Sequence, residues 1–209
     1  MNWNPYGPRA ALVEMPIDAA TALAGDAASL HRLGIHEVTP APSRTLLEFE
    51  AGTNLEEGVK RAVALASELA NQRTTNRLIH VPFSCHGEDF VEACEATGLR
   101  REEFLARFCE PEYVISMMGF APGFVYLDGL DPLLHLPRRA VPRPKVEAGS
   151  VAIGGQHAGI YSIPSPGGWN LLGRTTLRLF CPEKQGDKVF FLRLGDRIRF
   201  IAQTKRTPN

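Results

Sequence analysis

The hydrophobic pattern of this 209-residue chain changes character once, close to Glu112. Before that point, apolar residues recur at helical spacing in some segments and at strand spacing in others. After it, helical spacing vanishes and short apolar runs are punctuated by Gly and Pro. Such a chain needs a mixed α/β part followed by an all-β part, because the two periods bury their apolar groups in different ways.

In the first regime, Arg9 to Met15 reads as a strand, and Asp18 is a candidate cap for a helix running to about Leu33. Arg44 to Phe49 is a second strand. From Asn54 the apolar positions Leu55, Val59, Ala62, Val63, Ala66, Leu69 and Ala70 step by three and four, which predicts an amphipathic helix. Leu78 to Phe83 is strand-like again. Strand, helix, strand or hairpin, helix, strand is the outline of a split βαβ (ferredoxin-like) sandwich. The polar run NQRTTNR, residues 71–77, suggests a boundary, giving a small domain over 1–77 and a second over 78–209. Two short helices follow, one starting at the acidic pair Glu88 and Asp89, the other spanning Arg101 to Cys109.

The second regime offers strands at 113–117, 150–153, 159–163, 175–180, 189–194 and 197–201, with Gly195-Asp196 as a tight turn. Many short strands with Gly-rich turns point to a closed or nearly closed barrel. The fold class is therefore α+β.

Lys plus Arg and Asp plus Glu both number 23, so neither nucleic acid nor an anionic membrane is the expected partner. Near-zero charge is compatible with a subunit that assembles with others. The amino-terminal residues show no basic region followed by an apolar run, and no stretch approaches the ~18–20 apolar residues of a membrane span. Cys85, Cys94, Cys109 and Cys181 lack CxxC spacing and read as reduced core thiols of a cytoplasmic protein. Cys85 with His86 and His80 has no recognised ligand spacing, so no metal is expected.

Four segments could carry chemistry. GFAPGFVYLDGL (119–130) packs large rings among glycines and a proline. It reads as a pocket wall bearing Phe120, Phe124 and Tyr126, with Gly119 and Gly123 turning the chain, or as a plug closing the barrel. PRRAVPRPK (137–145) carries Arg138, Arg139, Arg143 and Lys145 on a stiff, proline-rich backbone, either an anion clamp or a solvated edge strand. VAIGGQHAGIYSI (151–163) reads as a hairpin with Gln156, His157 and Tyr161 near its turn; no carboxylate lies close in sequence to His157. SPGGWNLLGRT (165–175) imitates a phosphate loop, but its interior is bulky and a strand pattern follows it, so it reads as a barrel loop with Trp169 as pocket wall or core.

These segments, followed by LGDRIRF, resemble in order the carboxyl-terminal domain of the 5-oxoprolinase B-subunit family. That family is also labelled allophanate hydrolase subunit 1 and includes an inhibitor of a sporulation histidine kinase. The motif block covers residues 113–200, and weaker likeness reaches YGPRAALVE and IHVPF. The resemblance implies a cyclophilin-like β-barrel and one component of an ATP-dependent hydrolase that opens 5-oxo-L-proline to L-glutamate through a phosphorylated lactam. It implies two partners, a second, similar barrel component (the C-type, or allophanate hydrolase subunit 2, kind) and a separate A-type component, with the single chain inactive alone. The rival readings are the carboxyltransferase half of a biotin-dependent urea carboxylase and a non-catalytic kinase inhibitor. By position, the implied substrate-binding residues are Phe120, Pro122, Gly123, Phe124, Tyr126, Arg138, Arg139 and Arg143, then Gln156, Tyr161, Pro166, Gly167, Gly168, Trp169, Arg174 and Thr175. No general base can be assigned among them. The chain departs from the family where a histidine is common, here Phe108, and after the IPV-like strand, here Phe83 and Ser84-Cys85-His86.

Overall fold

A computed structural model describes residues 2–41, 44–72 and 77–203. The chain divides into two compact units, Met1–Asn76 and Arg77–Asn209. Part of the polar run expected at the boundary, residues 73–76, lies outside the described residues.

The first unit runs β1 (Trp3–Pro5), β2 (Ala10–Val13), α1 (Ile17–Ala24), α2 (Ala27–Leu33), β3 (Ile35–Thr39), β4 (Thr45–Phe49) and α3 (Leu55–Gln72). Its antiparallel sheet has the order β1-β2-β4-β3. One face buries Ala11, Val13, Ile35, Val38, Leu47 and Phe49 against Ala20 and Leu23 of α1 and Val59, Ala62 and Ala66 of α3. α3 begins where expected: the Asn54 side chain accepts a hydrogen bond from Glu57 N at 3.1 Å. Gly58 sits flat on the Phe49 ring, where an added Cβ would come within 2.8 Å of Cε1. The single helix expected from Asp18 is instead two. Gly25 ends α1, and Asp26 caps α2 by accepting from Ser29 N and Ser29 Oγ.

The strand expected to complete this sandwich, Leu78–Phe83 (β5), belongs to the other sheet. β1 takes the edge beside β2 in its place.

The second unit continues with α4 (Phe90–Thr97), α5 (Arg101–Cys109), β6 (Tyr113–Met118), β7 (Val125–Asp128), β8 (Arg143–Val146), β9 (Ser150–Gly154), β10 (His157–Ile160), β11 (Ser165–Gly167), β12 (Asn170–Arg174) and β13 (Arg197–Ala202). Seven strands form a sheet in the order β12-β9-β10-β7-β6-β13-β5, with β13 and β5 parallel. The two outer strands meet where Ser84, just past β5, pairs with Arg174 of β12; both backbone N–H···O bonds form, at 2.8 and 2.9 Å. That pairing nearly closes the barrel and removes its free edges.

Inside lie Val81, Phe83, Ile115, Val125, Leu127, Val151, Ile153, Ala158, Ile160, Ile198 and Phe200. Phe108 is fully buried there, with its ring 4.8 Å from that of Phe200.

Three strand expectations need correction. Residues 175–180 and 189–194 form no named strand; they meet at one bridge, Phe180 with Phe190. The strand expected at 159–163 is β10, displaced to His157–Ile160. The barrel loop expected at 165–175 contains β11 and β12. Leu171, Leu172 and Gly173 of β12 are all buried, so the segment lacks the alternation that marks a half-exposed strand.

Candidate functional site

Strand alternation sends neighbouring residues to opposite faces. On β7, Val125 and Leu127 enter the barrel, so Tyr126 and Asp128 face outward, in line with Phe124. On β10, Ala158 and Ile160 point in, which turns His157 and Gly159 out, followed by Tyr161. On β9, Val151 and Ile153 point in and Ala152 and Gly154 out. The aromatic residues expected to wall a pocket thus gather on the outer face of the barrel. They form a separate buried cluster of Phe124, Tyr161, Trp169, Ala152, Leu171 and Val146, with Tyr126 alongside.

Glycines let this cluster form. A Cβ on Gly154 would come within 2.7 Å of the Trp169 ring, and one on Gly159 would meet Trp169 and the Val125 carbonyl at 2.9 Å. A Cβ on Gly167 would sit 2.1 Å from the Tyr161 hydroxyl. Trp169 meets the Phe124 and Tyr126 rings edge-on at 5.6 Å, and Tyr161 meets Phe124 at 5.0 Å.

Phe120 is 63% exposed and holds φ = 70°, the one positive φ among the described non-glycine residues. Left-handed backbone at a bulky residue costs about 1–2 kcal/mol, so packing must hold this turn. Gly123 (φ 76°) and the Phe124 N to Ala121 O hydrogen bond of 3.0 Å complete it. That is how GFAPGFVYLDGL combines rings with Gly and Pro: the turn lifts Phe120 over the trough that Phe124 and Tyr126 floor.

The trough is a cavity of about 150 Å³ lined by Phe120, Phe124, Tyr126, Tyr161 and Trp169, by Arg138, Arg139 and Pro142, and by the backbone at Gly167 and Gly168. The Arg138 guanidinium lies 5.6 Å from the Trp169 ring centroid. Burial pushes the Tyr161 hydroxyl pKa upward, so this phenol stays a neutral hydrogen-bonding group.

The three arginines have different roles. Asp89, at the start of α4, is 2% exposed. Its Oδ1 accepts from Arg139 Nη1 and from Arg143 Nη2, each at 2.6 Å, and its Oδ2 accepts from Leu171 N at 2.7 Å. Glu92 and Glu88 add second partners to Arg139 and Arg143. The hydrogen bond to Asp89 raises the Arg143 pKa. Dipole grounds put Asp89 at a helix start, yet its side chain makes no cap bond and serves the arginines instead. Of the segment expected as an anion clamp or a solvated edge strand, Arg139 and Arg143 pair internally with Asp89 and tie β8 down beside the barrel. Arg138, exposed, makes no ion pair among the described residues.

The remaining expected site residues stand outside the trough. Pro122 and Gly123 border a shallower depression with Phe190. Arg174 is exposed and donates to Ala148 O, Thr175 is buried and accepts from Leu177 N, Pro166 is exposed on β11, and Gln156 is exposed in the β9–β10 turn. One arrangement has no counterpart in the sequence motifs: Asp128 Oδ1 lies 2.7 Å from His157 Nδ1, across paired strands.

A small α/β unit followed by a nearly closed β-barrel is the two-part architecture shared with carboxyltransferase-type domains. A model of the family described as carboxyltransferase domain, subdomain C and D, matches residues 1–191, and the chain belongs to that family. The curated relatives it matches are named as the B subunit of 5-oxoprolinase. That of Bacillus subtilis (strain 168) is 39% identical over 155 residues, 72% of this chain and 64% of the relative. That of Escherichia coli O157:H7 is 42% identical over 131 residues, 61% of this chain and 59% of the relative. The chain thus aligns with about three fifths of the length of these relatives. Among solved structures, TTHA0988 superposes with a TM-score of 0.75 at 34% identity, covering 100% of this chain and 41% of its own. The urea carboxylase of Kluyveromyces lactis shares the fold with a TM-score of 0.66 at 18% identity, covering 97% of this chain and 22% of its own.

Proposed function

We propose that the chain is the B-type component of an ATP-dependent 5-oxoprolinase, a hydrolase that opens 5-oxo-L-proline to L-glutamate only when assembled with its partners. The observation that carries this reading is the trough. It is small, flat-walled and aromatic, with one unpaired guanidinium held over an indole. A compact ring bearing one carboxylate suits it: the ring lies between Trp169 and Phe120, and Arg138 takes the carboxylate as a planar fork. Tyr126 and Tyr161 bring hydroxyl groups for the amide.

ATP does not fit the same hollow. A volume of about 150 Å³ is below the ~300 Å³ lower end of drug-sized sites. Nor is the trough lined by any carboxylate, histidine or cysteine. Both points favour a shared active site in which other chains supply the nucleotide site. ATP would contribute the activation that an unstrained amide needs. The partners would be a second barrel chain of the C type and a chain of the A type. That TTHA0988 is more than twice as long as the segment matched here supports a partner domain in the assembled protein. Dependence on ATP favours a cytoplasmic complex. Among the described residues no helix is long and apolar enough to cross a membrane.

A second reading, transfer of a carboxyl group to urea, is favoured by the family description and by the fold shared with urea carboxylase. Co-expression with candidate partners separates the two. The proposal expects glutamate formed from 5-oxo-L-proline with ATP, and none from this chain alone. Turnover that instead requires urea and biotin would replace it with the second reading.

A further inference from the structure

β7 and β10 pair so that Tyr126 faces Gly159 and Leu127 faces Ala158, which sets Asp128 beside His157 one step further on. Both side chains point outward, in the row that begins with Tyr126 and Gly159. His157 meets the Tyr126 ring edge-on, with centroids 6.3 Å apart, so it stands beside a residue that lines the trough. The side chains are 26% (His157) and 45% (Asp128) exposed, so water reaches them. An ionised carboxylate only accepts hydrogen bonds, so the 2.7 Å contact places the proton on Nδ1 and leaves Nε2 as the acceptor nitrogen. The groups set against the imidazole are Asp128, Tyr126 and the Gln156 amide, which is 3.5 Å from Nε2.

We infer that His157 is the general base of the amide-opening step, acting on a water molecule beside the trough, and that Asp128 is the positioning residue that fixes its tautomer. This rests on the amide-hydrolase reading above, to which it adds the base that the trough lacks. With the lactam oxygen carrying the phosphoryl group that ATP would supply, Nε2 takes a proton from water as the water oxygen bonds to the lactam carbon, and the C=N π pair moves onto nitrogen. The C–N bond then breaks as the new hydroxyl's O–H pair forms the acyl carbonyl, and that proton and the imidazolium's proton leave on the amine nitrogen. The acyl phosphate that remains takes up a second water to give the acid and inorganic phosphate.

The test uses the complex reconstituted with its partner chains, comparing wild type with His157→Gln, His157→Ala and Asp128→Asn. His157→Gln is expected to lower kcat about 100-fold, the scale of general-base catalysis, with KM for 5-oxo-L-proline within about threefold and an unchanged Tm. The fall of kcat at acid pH, where the imidazole is protonated, is expected to disappear with it. Added imidazole is expected to restore part of the His157→Ala rate. Asp128→Asn is expected to lower kcat about tenfold and to shift the acid limb of the pH profile. Wild-type kcat and pH profile in His157→Gln, or loss through KM or Tm alone, would overturn the assignment. Running urea in parallel keeps the two ideas apart: turnover of urea but not 5-oxo-L-proline refutes the amide-opening reading and the base with it, whereas 5-oxo-L-proline turnover with wild-type kinetics in His157→Gln refutes the base alone.

Discussion

Asp89 accepts a 2.6 Å hydrogen bond from Arg143, and the carboxylate is almost wholly out of water when it does so. The same oxygen holds Arg139, and its partner oxygen holds the backbone of Leu171. One carboxylate thus joins α4, the arginine segment and β12, and leaves Arg138 as the arginine of that segment without an ion pair among the described residues.

Asp89→Asn is expected to destabilise the protein by about 3 kcal/mol, the scale for breaking a buried pair by removing one partner. It leaves the two guanidinium groups with only the exposed carboxylates of Glu92 and Glu88 as counter-charges. Chemical denaturation of the variant checks this. A midpoint equal to wild type would show that Arg139 and Arg143 are solvated rather than locked.

Gly159→Ala is expected to disturb the trough rather than the barrel interior. The new Cβ would press on Trp169, Phe124 and the Val125 carbonyl at 2.9–3.1 Å, and overpacking of this kind costs about 1–3 kcal/mol. Trp169 fluorescence and near-ultraviolet circular dichroism should change while far-ultraviolet signals persist.

Alkaline pH is expected to weaken the fold. Burial pushes the Cys109 thiol from its ordinary 9.0 up to about 11 and also raises Tyr113 and Tyr161. For groups raised in the native state, the unfolded chain ionises first. Stability is therefore complete below pH 9 and falls as pH rises through the Cys109 window toward 11. Denaturation midpoints measured across that window should decline, and Cys109 should alkylate slowly at about pH 8. A flat midpoint would contradict the burial of these groups.

Local signals in the sequence read through clearly to the structure. The Asn54 cap and the apolar steps to Ala70 mark α3, alternation over Arg197–Phe200 marks β13, and the short apolar runs expected as strands at 113–117 and 150–153 are β6 and β9. Non-local facts did not show. β12 is buried on both faces and so carries no alternation, whereas 175–180 alternates without a partner strand beyond one bridge. The rings and glycines of the trough were legible as residue types, because Trp169 needs Gly154 and Gly159 beneath it. Their location on the outer face became evident only from strand register. Asp89 and its arginines are 50 and 54 residues apart, and Asp128 and His157 are 29 apart. Neither pairing leaves a mark in spacing.

The most direct test of the central claim is the dependence of glutamate formation on 5-oxo-L-proline concentration in the reconstituted complex, wild type against Arg138→Gln. Loss of one charge-assisted hydrogen bond is worth about 1.5–3 kcal/mol, so KM should rise roughly ten- to a hundredfold, with Tm unchanged because Arg138 makes no ion pair among the described residues. Equal KM values for the two proteins would contradict an outer-face trough that binds the substrate through Arg138.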